Sequence, residues 1–242
     1  MERLKKENII AQLQEEILRI QKFCRSTATV DMGLGSLAQA FPNHSFPLAA
    51  IHEFLSLGME DAAATTGFVS GLLASIMGNN GAVVWISSSR KLFPPALKAM
   101  NIEPDRFIFL DLKNERDVLW AMDEALKCGA LSAVIGEIRD LSFTESRRLQ
   151  LAVEQSQVTG FVLRHNVRNL NTTASVSRWK ITTLHSETDH DLPGIGFPRW
   201  QVELLRMRNG KTGVWNIQWE RNGFVPIEIA SVILPQLIQK AG

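Results

Sequence analysis

The chain has 242 residues, of which 45% are hydrophobic and 21% charged. This composition excludes intrinsic disorder, coiled coils and collagen-like repeats for most of its length. Its 26 basic and 25 acidic residues leave a formal net charge of +1, so bulk charge argues against a protein that coats duplex DNA by neutralising phosphates. No apolar run reaches the ~18 residues of a membrane span, and the first residues lack a secretory signal. We therefore expect a cytoplasmic protein that does not enter a membrane.

Residues 1–24 carry the pattern of an N-terminal amphipathic helix. Apolar residues recur at steps of three and four, with charged residues between them. Such a stripe docks either on the protein's own core or on a partner. Its candidate partner-binding side chains are Ile10, Leu13, Ile17 and Ile20. Residues 25–48 lose this periodicity and are rich in Gly and Pro, which predicts a connector that detaches the helix from the rest of the chain.

A core domain is predicted over residues 49–225. In its first half, five short apolar runs alternate with helical patterns, as in a parallel sheet covered by helices on both faces. The runs are Ala49–Leu55, Ala82–Ser87, Phe107–Asp111, Ala133–Ile138 and Gly160–Arg164. Helical periodicity spans Glu115–Cys128, and a capping box at Ser142 and Glu145 begins a helix that runs toward Gln157.

Longer, alternating strands are predicted after Arg164. They lie at Trp179–Leu184, Trp200–Arg208 and Val214–Glu220, with hairpin turns at Asn209-Gly210 and Asn222-Gly223. The fold class is therefore α/β, a mainly parallel sheet flanked by helices with an antiparallel C-terminal extension. Residues 226–242 form an apolar tail, in which Ile233 and Leu234 are further partner-binding candidates.

The turn after the first predicted strand, GMEDAAATTG, is a degenerate match to a phosphate-binding loop of the form G-x-x-x-x-G-K-S/T. Gly58 and Thr65 fit the pattern. Ala63 replaces the second glycine, which admits the phosphate against bare backbone, and Ala64 replaces the lysine that neutralises it. Without that cation we expect phosphoryl transfer to be lost.

The wider pattern resembles a known family. Family-like segments include Leu92-x-Pro94-Pro95-Ala96-Leu97, the stretch from Leu141 to Ala152, and Val202-Glu203-Leu204-Leu205-Arg206. Over about residues 30–222 the chain resembles the RecA recombinase core and, as a whole, the ImuA family of RecA-like, SulA-like accessory proteins of bacterial translesion DNA synthesis. The resemblance implies a RecA-like P-loop fold and a role in the SOS response. It also implies contacts with an ImuB-like polymerase-related protein, with RecA and with the replication machinery.

The same resemblance implies that catalytic residues of RecA-like proteins are replaced in this chain. Glu137 stands where a RecA-like protein has its magnesium-organising aspartate, and serines 87–89 stand where its water-activating glutamate is expected. We therefore expect a non-enzymatic protein with no cofactor and no metal. Its vestigial phosphate site consists of Gly58, Ala63, Ala64, Thr65, Thr66 and Glu137. The alternative is a working ATPase in which Lys91 supplies the missing charge.

A second alternative is direct binding of single-stranded DNA. The counterpart of the DNA-gripping loop of RecA is the short segment 166–175, which has basic flanks. Charge and stacking at this segment are typical of single-strand binding, although a solvated loop with a tryptophan at its rim explains the same residues. The DNA-binding candidates are Arg164, Arg168, Arg178, Trp179 and Lys180. The sequence leaves the oligomeric state open.

Overall fold

The computed structural model describes residues 32–78, 81–89, 92–167, 170–186, 196–221 and 223–227. These residues form one nine-stranded sheet with the order β3-β2-β4-β5-β1-β6-β7-β8-β9. The strands are β1 Ile51–Ser56, β2 Val83–Ser87, β3 Phe107–Asp111, β4 Ala133–Glu137, β5 Thr159–His165, β6 Ser177–Leu184, β7 Arg199–Met207, β8 Gly213–Glu220 and β9 Gly223–Pro226. The helices are α1 Met59–Met77, α2 Glu115–Leu126 and α3 Phe143–Ser156. Short 3-10 turns span Gly35–Ala40, Pro42–His44, Pro94–Met100 and Pro104–Arg106.

The sheet is mainly parallel and is flanked by helices, which confirms the predicted α/β class. The predicted start of the antiparallel part is corrected. Strand β6 pairs in parallel with β1, with Trp179 opposite Phe54, and the antiparallel pairing begins between β6 and β7. The reason is that the chain after β5 returns to the edge of the sheet where β1 starts, so that Val176 N bonds to Ile51 O. Strand β6 therefore runs in the same direction as β1.

Two hydrophobic layers cover the two faces of the sheet. On one face, α1 packs Phe68 and Leu72 against tryptophans and phenylalanines of β1, β2 and β6–β9. On the other face, α2 and α3 cover Ile51, Val84, Val134 and Val162. Helix α1 lies so close to the strands that a Cβ at Gly71 would stand 2.5 Å from the Phe224 ring. A larger residue at this position would therefore push the helix off the sheet.

Residues 32–48, the described part of the predicted connector, pack as part of this core. Met32, Leu37 and Phe41 are buried against the α1 face. The segment is also tied to β1 by hydrogen bonds, because Nε2 of the buried His52 lies 2.7 Å from the Pro47 carbonyl oxygen. The loss of periodicity in the sequence therefore did not reveal that most apolar side chains of this segment are buried in the core.

The predicted capping box is confirmed at the start of α3. The Ser142 hydroxyl accepts from Glu145 N at 3.2 Å, and the Glu145 carboxylate accepts from Ser142 N at 2.8 Å. Helix α2 ends at Leu126, two residues before the predicted end, and is capped at its start by the Asn114 side chain.

Several predictions concern residues outside the described ranges. These residues are Ile10, Leu13, Ile17, Ile20, Lys91, Arg168, Ile233 and Leu234. Within the described ranges, no helix combines the length and the apolar character that crossing a bilayer requires.

Candidate functional site at the carboxyl edge of the sheet

The turn after β1 is the position of the predicted vestigial phosphate loop. Helix α1 begins at Met59, directly after Gly58, so the stretch from Ala63 to Thr66 is already helical. The N–H of Ala62 donates to Gly58 O at 3.1 Å and is committed to the helix. A phosphate cradle needs several free N–H groups that converge on one anion. In this turn only the start of the helix can offer such N–H groups, and it carries the carboxylates of Glu60 and Asp61.

Thr65 is sealed inside the protein. Its side chain is fully buried, and its hydroxyl oxygen lies 3.0 Å from that of Ser56 at the end of β1. In a phosphate-binding loop the equivalent hydroxyl holds magnesium. Ala64 is buried as well, whereas Ala63 is exposed. A lysine at position 64 would therefore point into the core and not toward a phosphate.

Glu137 ends β4 at the same edge of the sheet and is 7% exposed. The indole N–H of Trp85 donates to its Oε1 at 2.9 Å. Its Oε2 lies 3.6 Å from Nε2 of His165, which ends β5. The other ring nitrogen of His165, Nδ1, is buried and has no hydrogen-bond partner among the described residues. Glu137 is therefore held by its neighbours in the protein, next to one unsatisfied polar atom.

A cavity of about 470 Å³ lies between α1, the turn Pro94–Met100 and the ends of β4 and β5. We call it the edge cavity. Its walls are mostly apolar, and its mouth is flanked by Met59 and Phe93, whose side chains are 87% and 68% exposed. In open α/β sheets, ligands bind beyond the carboxyl ends of the strands. The edge cavity occupies that position, with Glu137 and His165 as its titratable lining groups among the described residues.

The structure corrects two of the DNA-binding candidates. Arg164 is 1% exposed because β5 is buried along nearly its whole length, and Trp179 is fully buried because it lies on the face of β6 that packs against α1. The other described candidates are engaged by carboxylates. Arg178 Nε donates to Glu53 Oε2 at 2.9 Å, and Lys180 Nζ donates to Glu203 Oε1 at 2.7 Å. The described residues therefore offer no exposed tryptophan beside a free cation at this position.

The arginines instead build a buried network around Glu53 of β1. Arg164 Nη1 donates to Glu53 Oε1 at 2.6 Å, and the Thr173 hydroxyl donates to Oε2 at 2.7 Å. Burial alone would raise the pKa of this carboxyl, but the hydrogen bonds from Arg164, Thr173 and Arg178 outweigh it and hold the pKa below its ordinary value. The network holds Asn171, Thr173 and Ser175, which lie in the short counterpart of the DNA-gripping loop of RecA, against the sheet.

Comparison with known proteins places the chain. It is 33% identical over 212 residues to Protein ImuA of Caulobacter vibrioides, and the match covers 83% of this chain and 87% of that protein. A second strain of the same species gives the same values. The chain belongs to the ImuA family.

Two further similarities involve the cell division inhibitor SulA. The Photorhabdus laumondii protein is 29% identical over 104 residues, which cover 43% of this chain and 59% of that protein. The crystal structure of SulA from Pseudomonas aeruginosa aligns with a TM-score of 0.42 at 19% identity, covering 48% of this chain and 98% of that chain. No protein-family model matches the chain.

Sequence reasoning missed the residues that shape the edge cavity beside Glu137. His165 ends the strand next to β4, so the order of the strands would have placed it beside Glu137. Phe93 and Met59 have no such signal, because their exposure depends on how the turn Pro94–Met100 lies against α1. Within the described ranges, no group of three or more His, Cys, Asp or Glu side chains is arranged to hold a metal ion.

Proposed function

We propose that this member of the ImuA family is a catalytically inactive, RecA-like accessory protein of bacterial DNA repair. It supports error-prone translesion synthesis by contacting an ImuB-like polymerase-related protein and, through the same machinery, RecA. Family membership supports the pathway and the partner. One observation carries the inactive role: α1 starts directly after Gly58, and Thr65 is enclosed against Ser56.

The physical argument for inactivity rests on electrostatics. Phosphoryl transfer depends on positioned cations and N–H groups, because the transferring group carries most of the charge. The lysine position holds Ala64, whose side chain faces the core. Glu60 and Asp61 add negative charge where the phosphate would bind. Each of these features acts against a bound triphosphate, and together they leave the sheet as a scaffold.

In this account the partner contacts come from surfaces outside the nucleotide chemistry. The stripe of Ile10, Leu13, Ile17 and Ile20 and the tail residues Ile233 and Leu234 are the docking elements that the sequence supplies. Burying a few apolar side chains of this kind on a partner contributes about 1.5–3 kcal/mol each. That is enough for a stable accessory complex if the stripe binds as one face.

Capture of the purified ImuB-like protein by the tagged full-length chain tests the proposal, with phosphate release from ATP measured in parallel. We expect a stoichiometric complex and phosphate release at the level of the blank. The double variant Leu13→Glu/Ile17→Glu should weaken capture by about tenfold or more, whereas the control Asn8→Glu, on the opposite side of the predicted helix, should not. Absence of a complex would contradict the scaffold role. Phosphate release that disappears in Thr65→Val would contradict the inactive role.

A further inference from the structure

We propose that the edge cavity is a docking pocket for one aromatic side chain of a partner protein. The occupant is a tryptophan or tyrosine, whose ring fills the apolar space and whose N–H or O–H bonds to the polar end of the cavity. Basic residues flank it in the partner segment. This inference rests on the proposed function, because it needs a protein partner, but it assigns a site that the family resemblance does not.

The size and the walls of the cavity suit an aromatic anchor. A volume of about 470 Å³ falls within the usual range of pockets that enclose most of a ligand, about 300–1,000 Å³. The walls include Leu92, Leu97 and Met100 from the turn and Ala62 and Gly67 from α1. Residues that dominate binding energy at protein interfaces are mostly Trp, Tyr and Arg seated in such enclosed pockets.

Large apolar side chains near the mouth of the cavity are exposed to solvent. Met59 and Phe93 are 87% and 68% exposed, and Leu57 beside them is 61% exposed. A partner that covers this patch would gain about 25 cal/mol of binding free energy for each Å² of apolar surface removed from water. Met59 has a flexible thioether side chain that adapts to an aromatic ring. The mouth therefore favours a protein surface over a small solute that enters alone.

The polar end of the cavity consists of Glu137 and His165. The Glu137 carboxylate accepts from the Trp85 indole through Oε1, and its Oε2 lies 3.6 Å from Nε2 of His165. Each carboxylate oxygen can accept more than one hydrogen bond. An indole N–H or phenol O–H in the cavity can donate to this carboxylate, which an aliphatic anchor cannot do.

The charge around the cavity disfavours anions. Glu137 lines it, and Glu60 and Asp61 stand on the helical turn between the lining residues Met59 and Ala62. No lysine or arginine is found among the described lining residues. The charges of the described residues at the cavity are therefore negative, and they favour lysine or arginine beside the aromatic anchor over a phosphate or carboxylate ligand.

The first test uses 5-fluoroindole and the full-length chain, monitored by fluorine NMR. We expect saturable binding that Ala96→Phe lowers by about tenfold or more, because residue 96 is exposed and lines the cavity. The matched control is Ala99→Phe, on the same turn and exposed but outside the lining. Tryptamine should bind more tightly than indole-3-acetate because of the surrounding carboxylates. Absence of binding, equal binding by the two variants, or the reverse order of the charged probes would overturn the proposal.

Urea unfolding of both variants shows whether they fold. If Ala96→Phe does not fold, Phe93→Ala takes its place, with Phe143→Ala as the control at another exposed phenylalanine. Loss of fluoroindole binding in Phe93→Ala alone supports the pocket, and equal binding by the two phenylalanine variants overturns it.

The second test separates this inference from the proposed function. The purified ImuB-like protein is captured by the wild type, Ala96→Phe and Ala99→Phe, with and without excess N-acetyltryptophanamide. Weaker capture by Ala96→Phe and competition by the amide support the pocket. Full capture by both variants without competition would overturn it and leave the proposed function standing. If the wild type captures nothing, the proposed function fails, and fluoroindole binding alone then decides whether the cavity accepts an aromatic donor.

Discussion

The hydroxyl oxygens of Ser56 and Thr65 lie 3.0 Å apart, and both side chains are buried. Ser56 ends β1 and Thr65 lies in the second turn of α1, so one hydrogen bond joins the end of the strand to the helix. A phosphate-binding loop would separate these two groups and direct the threonine hydroxyl to a metal ion. Here the two hydroxyl groups contact each other. The edge cavity lies along a different side of α1, which Ala63, Thr66 and Ser70 line.

A lysine at position 64 should lower the stability of the protein. Ala64 is 6% exposed and packs against the core. Ala64→Lys would bury an unpaired ammonium group, and we expect the free energy of unfolding to fall by about 3 kcal/mol or more. Ala63→Lys is the matched control, because position 63 is exposed and the change there should stay within about 0.5 kcal/mol. Urea unfolding monitored by circular dichroism measures both. Equal stabilities would show that position 64 faces solvent.

Removing the Glu53 carboxylate, which accepts hydrogen bonds from two arginines, should lower the stability of the protein strongly. Glu53 is fully buried and bonds to Arg164 at 2.6 Å and to Arg178 at 2.9 Å. Glu53→Ala leaves both guanidinium groups without their carboxylate, and a loss of about 3–5 kcal/mol in unfolding free energy is expected. Glu203→Ala breaks the partly buried pair with Lys180 and should cost at most about 1 kcal/mol. Chemical denaturation gives both values, and similar losses in the two variants would refute a structural role for the Glu53 network.

His52 should make the stability depend on pH. Burial lowers its pKa from 6.5 to about 4, although the hydrogen bond to Pro47 O opposes this shift. The unfolded chain therefore binds a proton below about pH 6.5 that the folded chain refuses until about pH 4. Stability should fall by about 1.4 kcal/mol per pH unit across that window and level off below it. The depressed pKa of Glu53 acts at lower pH, because its stabilisation is lost as the folded carboxylate becomes protonated.

Unfolding curves at several pH values between about 4 and 6.5 measure this slope. His52→Gln, which cannot titrate, should flatten it, while the exposed His44→Gln serves as the control. A slope that survives in His52→Gln would assign the pH dependence to another group.

Removing the N-terminal cap of α3 should have a smaller effect on stability. The Ser142 hydroxyl accepts from Glu145 N, and the Glu145 carboxylate accepts in return from Ser142 N. Ser142→Ala should lower the unfolding free energy by about 1 kcal/mol. Thr144→Ala, on the same turn but outside the cap, should change it by less than about 0.5 kcal/mol. The difference between the two midpoints in urea checks the cap, and an equal loss in both variants would speak against it.

Local patterns predicted most of the parallel sheet. The apolar run Phe107–Asp111 matches β3 at both ends, and β2 and β4 are each shorter than predicted by one residue. Strands β2 and β4 were predictable because burial on both faces demands continuous apolar residues. The edge strand β3 has the same apolar pattern although Ile108 and Leu110 are exposed. The capping box of α3 was equally local, since its two residues lie three positions apart.

Contacts between distant parts of the chain were not predictable in this way. Arg164 and Trp179 are typical of an exposed nucleic-acid surface when read locally, but each is buried by residues far away in sequence. Arg164 pairs with Glu53, 111 positions earlier, and Trp179 stacks on Phe54 with ring centres 5.8 Å apart. The burial of residues 32–48 has the same cause, because their few apolar side chains gain their partners only in the folded sheet.

We propose that the turn after β1 binds no nucleotide. Calorimetric titration of the full-length chain with ATP and magnesium tests it most directly, with Thr65→Val titrated alongside. We expect no saturable heat for either protein. Saturable binding by the wild type that Thr65→Val abolishes would contradict it, since the threonine hydroxyl would then serve a metal ion and not Ser56.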